Sequence, residues 1–114
     1  MSNSDVIDRL VNAYNAHDAD GFAALFAVDG CTYEHPGVLA QAGREAIGAF
    51  YTRRFAEYPE LRTEVRHRID LGQSIVDHEF VHVCGDRADF HCVAIYHLLA
   101  GEITRVDLVR EQRG

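Results

Sequence analysis

Hydrophobic positions follow two periods along this chain: a helical period in the first half and an alternation typical of strands in the second. We expect Ser4 to cap a first helix, because a serine side chain accepts hydrogen bonds from the free backbone N–H groups at a helix start. The apolar positions that follow recur at helical spacing, and they predict one buried face formed by Val6, Ile7, Leu10, Val11 and Tyr14.

Two more helices are predicted before the long strands begin. The second covers residues 19–27, with Asp18 as its N-cap, buries Phe22, Leu25 and Phe26, and ends at Asp29-Gly30. A short strand over residues 31–34 follows, and the next proline and glycine stop it. The third helix covers residues 43–58, with Ile47, Phe50, Tyr51 and Phe55 facing inward.

The remainder of the chain predicts β structure. Long alternating runs cover residues 63–71, 75–84, 88–99 and 103–110, and turn-forming residues separate them. Helices followed by an antiparallel meander indicate an α+β fold. We therefore expect one domain over residues 1–114, with three N-terminal helices packed in the concave face of a strongly curved, mostly antiparallel sheet, which together form a cone.

The outer face of this sheet also carries apolar residues, such as Val93 and Ile95. An exposed apolar face requires cover, and a second copy of the chain is its simplest source. We therefore expect a homodimer that associates through the outer sheet face.

Charge and composition narrow the class of partner. The net charge of −7 disfavours nucleic acid, because an acidic domain repels phosphate backbones. The amino terminus lacks the features of a signal peptide, and no apolar run approaches the ~20 residues of a membrane span. Three cysteines without a Cys-x-x-Cys pair indicate reduced thiols, so we expect a soluble, cytoplasmic protein without a membrane partner.

Four segments of the sequence resemble one superfamily in order and spacing. They are LVNAYNAHDADGFAALFAVDGCTYEHP (residues 10–36), GREAIGAFY (43–51), VAIYH (93–97) and GEITRVDLV (101–109). They resemble the nuclear-transport-factor-two-like and SnoaL-like superfamily, which includes ketosteroid isomerases. The resemblance implies a cystatin-like cone as the fold, but this scaffold carries many functions.

The resemblance also implies positions for the catalytic groups of the isomerases, and most of them differ here. Where the isomerases have the aspartate base of a Glu-Asp-Pro turn, this chain has His35. The oxyanion tyrosine of the first helix corresponds to Leu10, and the protonated oxyanion aspartate corresponds to Tyr96. A supporting tyrosine is retained as Tyr51. The usual isomerase mechanism is therefore not expected, although His35 could move a proton near neutral pH.

Asp77 and Glu79 are the most unusual pair on the strands. Alternation along the strand places both side chains on one face. The resemblance implies that this face is turned toward a pocket inside the cone. Buried acids are costly unless they are paired or functional, so one of them could orient His35. Alternatively, a reversed parity or a bulge would bring both acids to solvent or to Arg66 and Arg68.

The other candidate sites are weaker. His78, His82, His91 and His97 share the predicted outer face, but residues four apart on a strand lie ~13 Å apart, so we expect no metal site there. Cys92 is expected to be a buried structural thiol. Neither a phosphate-binding loop nor a Rossmann fingerprint is present, and we expect no cofactor.

These residues predict a pocket for a small, mostly apolar molecule that carries a carbonyl group. His35 would act as the general base, Tyr96 would hold the oxygen, and Asp77 or Glu79 would orient the base. Isomerisation, cyclisation, dehydration or hydrolysis without a cofactor are the candidate reactions. A non-catalytic ligand-binding module and a dimeric association domain are the alternatives. The expected pocket walls are Leu10, Tyr14, Phe26, Phe50, Tyr51 and Val106.

Overall fold

The computed structural model describes residues 1–112 of the chain. The helices in this range are α1 (Asn3–Asn15), α2 (Ala19–Ala23) and α3 (Arg44–Glu57). The strands are β1 (Phe26–Glu34), β2 (Val38–Ala42), β3 (Arg62–Asp70), β4 (Ser74–His82), β5 (Phe90–Leu99) and β6 (Glu102–Arg110).

The sheet is open and has the strand order β2-β1-β6-β5-β4-β3. Neighbouring strands are antiparallel except for β1 and β6, which run parallel. Three helices pack against this mixed sheet, so the predicted α+β architecture with a mostly antiparallel sheet is confirmed. In β4 and β5, buried positions alternate with half-buried ones, so one face of these strands forms the core.

The first helix begins two residues earlier than predicted. Ser2, not Ser4, is its N-cap: the Ser2 hydroxyl accepts from the Asp5 amide at 3.1 Å, and the Asp5 carboxylate accepts from the Ser2 amide at 3.1 Å. This reciprocal capping box satisfies two free donors at once. The hydroxyl of Ser4 instead accepts a hydrogen bond from Arg68 at 3.0 Å.

The second helix is shorter than predicted because tertiary pairing outweighs the helical pattern of residues 24–27. Phe26 is buried, but in strand β1, where it lies opposite Ile103 of β6. Gly30 is also inside β1 rather than at a helix end. A side-chain carbon at this position would lie 2.9 Å from the carbonyl oxygen of Ile103, so only glycine fits there without a shift.

The sequence analysis missed strand β2. It forms a hairpin with β1, but its residues are mostly exposed, including Val38 and Leu39. A strand without a buried face leaves no alternation of apolar and polar residues to recognise. Among the helices of residues 1–112, none combines the length and hydropathy needed to cross a membrane.

Candidate functional site

A largely apolar cavity lies between the helices and the inward face of the sheet. The centres of water-sized molecules can occupy about 70 Å³ of it, several times the ~10–15 Å³ that one buried water needs. Helices α1 and α3 form one side of the cavity, and β4, β5 and β6 contribute the facing side chains. Of the expected wall residues, those that line it are Leu10, Tyr14, Phe26, Tyr51 and Val106.

Phe50 departs from the expectation, because it does not line this cavity. Successive helical residues point about 100° apart, so the Phe50 side chain leaves α3 in a different direction from that of Tyr51. The Phe50 ring instead contacts the Tyr51 ring edge-on, with centroids 5.0 Å apart, and it lines a smaller adjoining cavity.

Glu79 is the acidic side chain of the cavity lining, and its two oxygens are held by different strands. Thr63 of β3 donates a hydrogen bond to Oε1 at 2.9 Å, and the Tyr96 hydroxyl of β5 donates to Oε2 at 3.1 Å. Glu79 retains 8% of its surface. Burial raises its pKa, an effect that the hydrogen bonds from Thr63 and Tyr96 oppose only in part. The result is a carboxyl group that can hold or release a proton inside the cavity.

Tyr96 lies on the inward face of β5, the side chain direction that the resemblance implied for this strand position. It is buried and lines the cavity beside Glu79. Burial raises the pKa of Tyr96 well above its ordinary value, and the nearby carboxyl groups reinforce this. Tyr96 therefore stays a neutral phenol, and its O–H is directed at Glu79.

Tyr14 and Tyr51 supply two further phenols. Their rings meet edge-on with centroids 6.1 Å apart, and both line the cavity. Within residues 1–112, neither hydroxyl has a hydrogen-bond partner. Burial raises the pKa of Tyr14, and it raises that of Tyr51 to about 12. Both are therefore neutral donors available to a ligand oxygen. Leu10 occupies the position that corresponds to the oxyanion tyrosine of the isomerases. Tyr14 supplies a phenol hydroxyl one helical turn later on the same helix.

Asp77 shares the inward face with Glu79 but has a different environment. Its side chain is fully buried, and Arg68 donates two hydrogen bonds to it, from Nε at 2.7 Å and from Nη2 at 2.9 Å. Asp77 is absent from the cavity lining of the described residues. A bulge at Arg66 turns Arg68 inward toward Asp77. Both acids thus lie on the inward face of β4, and Asp77 still meets Arg68 because the bulge is in β3 and not in β4.

The structure does not bring His35 to the cavity. Thr32 lines the cavity, while His35 lies in the turn after β1 and is exposed. His35 follows the last residue of β1, and a register shift between Thr32 and Tyr33 interrupts the alternation before it, so strand periodicity does not determine the direction of its side chain. The expected contact of His35 with Asp77 or Glu79 is not formed, since both carboxylates are bound by other groups. The expectation that this imidazole faces the interior is therefore wrong.

Sequence reasoning missed Arg110, which lines the cavity. Its Nε donates to Oε1 of Glu34 at 2.7 Å, while Oε2 of Glu34 is buried without a partner in residues 1–112. Burial is the largest single effect and tends to lower the pKa of Arg110, but the hydrogen bond to Glu34, the charge of Glu34 and the nearby Cys92 and Tyr51 together outweigh it, so the pKa is raised. The signal was available, because Val106, Leu108 and Arg110 alternate along β6 and all line the cavity.

The outer face of the sheet carries its histidines in contacts across neighbouring strands. Nε2 of His78 and Nδ1 of His91 lie 2.9 Å apart, and the His67 ring stacks on His78 with centroids 5.6 Å apart. In the part of the chain that the structure describes, no group of three His, Cys, Asp or Glu residues has the arrangement of a metal site.

Cys92 lines the cavity, and its thiol is not activated. Burial raises its pKa to about 12, and the nearby Glu79 adds to the effect. The thiol therefore stays protonated near neutral pH, which favours a structural role over a nucleophilic one.

Comparison with known proteins gives a family match over most of the chain. A family model described as the SnoaL-like domain matches residues 7–106. No functionally curated protein matches the sequence. A cystatin-fold protein from Novosphingobium aromaticivorans is 25% identical, with a TM-score of 0.90 and coverage of 96% of this chain and 99% of that one.

Two further solved structures share the fold at lower identity. One is a ketosteroid-isomerase-like protein from Catenulispora acidiphila in complex with trimethylamine, 18% identical, with a TM-score of 0.78 and coverage of 90% of this chain and 82% of that one. The other is a Sinorhizobium meliloti protein provisionally assigned as a polyketide cyclase, 17% identical, with a TM-score of 0.79 and coverage of 91% and 93%. At these identities the likeness shows the fold alone.

Proposed function

The chain belongs to the SnoaL-like domain family, and from that premise we propose that its cavity binds a small, mostly apolar carbonyl compound and moves a proton on it with Glu79. The observation that supports this most directly is the environment of Glu79. A carboxyl group with a raised pKa, held by Thr63 and Tyr96 in an apolar cavity, has the properties of a general acid and base.

The proposed step uses only side chains of this cavity. As a carboxylate, Glu79 removes a proton from the carbon next to the carbonyl group, and the electrons of that C–H bond move onto the carbonyl oxygen. The free hydroxyls of Tyr14 and Tyr51 donate hydrogen bonds to the resulting enolate oxygen. If a C=C bond extends the enolate, Glu79 returns the proton to the far carbon, which shifts the double bond and isomerises the ligand. Alternatively, the enolate carbon attacks a second carbonyl group of the ligand, and the oxygen of that group takes the proton from Glu79 as the ring closes.

His35 has no part in this step, because its side chain is exposed and outside the cavity lining. Of the four catalytic residues expected from the sequence, the proposed site keeps Glu79 and Tyr96. Asp77 is not part of it, because its carboxylate is paired with Arg68.

Removal and return of this proton exchanges ligand hydrogen for solvent deuterium, and this exchange can be measured. Wild-type protein in deuterated water is expected to catalyse incorporation of deuterium next to the carbonyl of small cyclic and linear ketones, measured by NMR. Glu79→Gln is expected to slow this exchange by about 10²-fold or more, and equal exchange by both proteins would contradict the proposal. Binding without exchange would favour the alternative, a non-catalytic ligand-binding module.

We also propose that two copies associate through the outer sheet face. The apolar side chains Val76, Phe80, Val93 and Ile95 lie on this face of β4 and β5 and are only half-buried in one chain. Analytical ultracentrifugation of wild type and Phe80→Asp tests the proposal, which predicts a dimer that the substitution dissociates.

The free cysteines Cys31, Cys84 and Cys92 fit a reducing, cytoplasmic location.

A further inference from the structure

Three arginines meet beside the cavity, although the net charge of the chain is −7. Arg54, Arg87 and Arg110 line the smaller adjoining cavity, which has about 30 Å³ of space for the centres of water-sized molecules. Arg110 also lines the main cavity, and Arg87 and Arg110 line a surface depression together with Asp89 and Glu111. This arginine cluster (Arg54, Arg87 and Arg110) therefore lies between the ligand cavity and solvent.

Aromatic rings support two guanidinium groups of the arginine cluster. The guanidinium carbon of Arg54 lies 4.9 Å from the centroid of Phe50 and 5.8 Å from that of Tyr58. The guanidinium carbon of Arg110 lies 5.4 Å from the centroid of Phe90. A guanidinium on a ring face is held in place while its N–H groups remain able to donate in their own plane.

Acidic side chains do not neutralise the whole arginine cluster. Arg110 is paired with Glu34 through Nε. Within residues 1–112, neither Arg54 nor Arg87 forms an ion pair. Asp89, on the same loop as Arg87, already accepts a hydrogen bond from the Val83 amide at Oδ1, and its Oδ2 lies 3.1 Å from Nδ1 of His82. Two guanidinium groups without an ion pair in the described residues thus lie beside an apolar cavity in an acidic protein.

We propose that the arginine cluster binds a carboxylate, so that the ligands of this protein are small organic acids. The apolar body of such an acid would occupy the main cavity near Glu79, and its carboxylate would take the adjoining space, which has room for about two water-sized oxygens. This inference rests on the proposed ligand cavity but does not require that Glu79 performs any reaction.

Two matched pairs of probes test the inference: benzoate against benzamide, and hexanoate against hexanamide. Each pair has the same shape and differs in charge, and NMR titration of the full chain gives the dissociation constants. In wild type, at least one carboxylate is expected to bind at least tenfold more tightly than its amide, and added salt should reduce this advantage. Arg54→Gln should reduce it to below threefold. Arg53→Gln, at the exposed neighbouring position, is the matched control and should retain it.

The outcomes separate the two proposals. Equal binding of carboxylate and amide in wild type would overturn the carboxylate site and leave the ligand cavity intact. An equal loss in Arg53→Gln and Arg54→Gln would also overturn it, because general charge rather than the arginine cluster would then explain the preference. Binding of none of the four probes would overturn the ligand cavity, and the inference would fail with it.

Discussion

The Tyr96 hydroxyl donates a 3.1 Å hydrogen bond to Glu79, and this contact joins β4 and β5 inside an apolar cavity. The pair combines a carboxyl group whose pKa is raised by burial with a phenol that stays neutral. A fold stabilised only by apolar contacts would not need this pair, because burying a carboxyl group costs free energy.

Glu79→Gln is expected to lower the rate of proton exchange by about 10²-fold or more, the usual contribution of a general base. The amide is close in shape to the carboxyl group and can still accept a hydrogen bond from Thr63. The measurement is NMR-detected deuterium incorporation, with circular dichroism to confirm folding. Thr52→Val, at an exposed position on α3 outside the cavity lining of the described residues, provides a control that should leave the rate unchanged.

The same substitution should change how stability depends on pH. The folded pKa of Glu79 is higher than its ordinary value of 4.5, so above pH 4.5 the folded state binds more protons than the unfolded state. The wild-type free energy of unfolding therefore contains a contribution that falls as pH rises from about 4.5 to the folded pKa, by up to ~1.4 kcal/mol per pH unit. Glu79→Gln removes this fall. Urea unfolding of both proteins at a series of pH values checks the prediction, which parallel curves would contradict.

Tyr14→Phe and Tyr51→Phe should affect function without a large loss of stability. Neither hydroxyl has a protein partner in residues 1–112, so its removal should change the free energy of unfolding by less than about 0.5 kcal/mol. If the hydroxyls hold an enolate oxygen, each substitution should slow exchange by about 10- to 100-fold. Thermal unfolding and the exchange assay measure the two effects. A large loss of stability with normal exchange would assign these hydroxyls a structural role.

Asp77→Ala should destabilise the fold much more than Asp8→Ala. Arg68 donates to Asp8 at 2.6 Å and to Asp77 at 2.7 Å, so the distances are nearly equal. The side chain of Asp77 is fully buried, whereas that of Asp8 is 59% exposed. Removing Asp77 leaves the guanidinium without its buried partner and should cost about 3–5 kcal/mol, against at most ~1 kcal/mol for Asp8. Urea unfolding measures both variants, and similar losses would show that burial does not decide the strength of these pairs.

His35→Ala should leave both stability and exchange unchanged. The side chain is exposed and outside the cavity lining, so the expected change in the free energy of unfolding is below about 0.5 kcal/mol. The exchange rate of this variant, measured beside that of Glu79→Gln, distinguishes the two candidate bases. A loss of exchange in His35→Ala alone would return the role of base to the imidazole.

Much of the fold could be predicted from the sequence because its signals are local. The alternation in β4 placed Asp77 and Glu79 on one inward face, and the helical spacing in α1 placed Leu10 and Tyr14 together. The same alternation along β6 could have identified Arg110 as a cavity residue. These relations depend only on the geometry of one element, which residue spacing determines directly.

Only the tertiary structure decided how those elements meet. The pairing of β1 with β6 converted Phe26 from a predicted helix residue into a strand residue, and the bulge at Arg66 brought Arg68 to Asp77. Contacts with other strands fix both features, so no local pattern reveals them. The outward direction of His35 and the meeting of Arg54, Arg87 and Arg110 arise in the same way. The sequence thus determined which faces of its elements are buried, and long-range packing determined which side chains share the site.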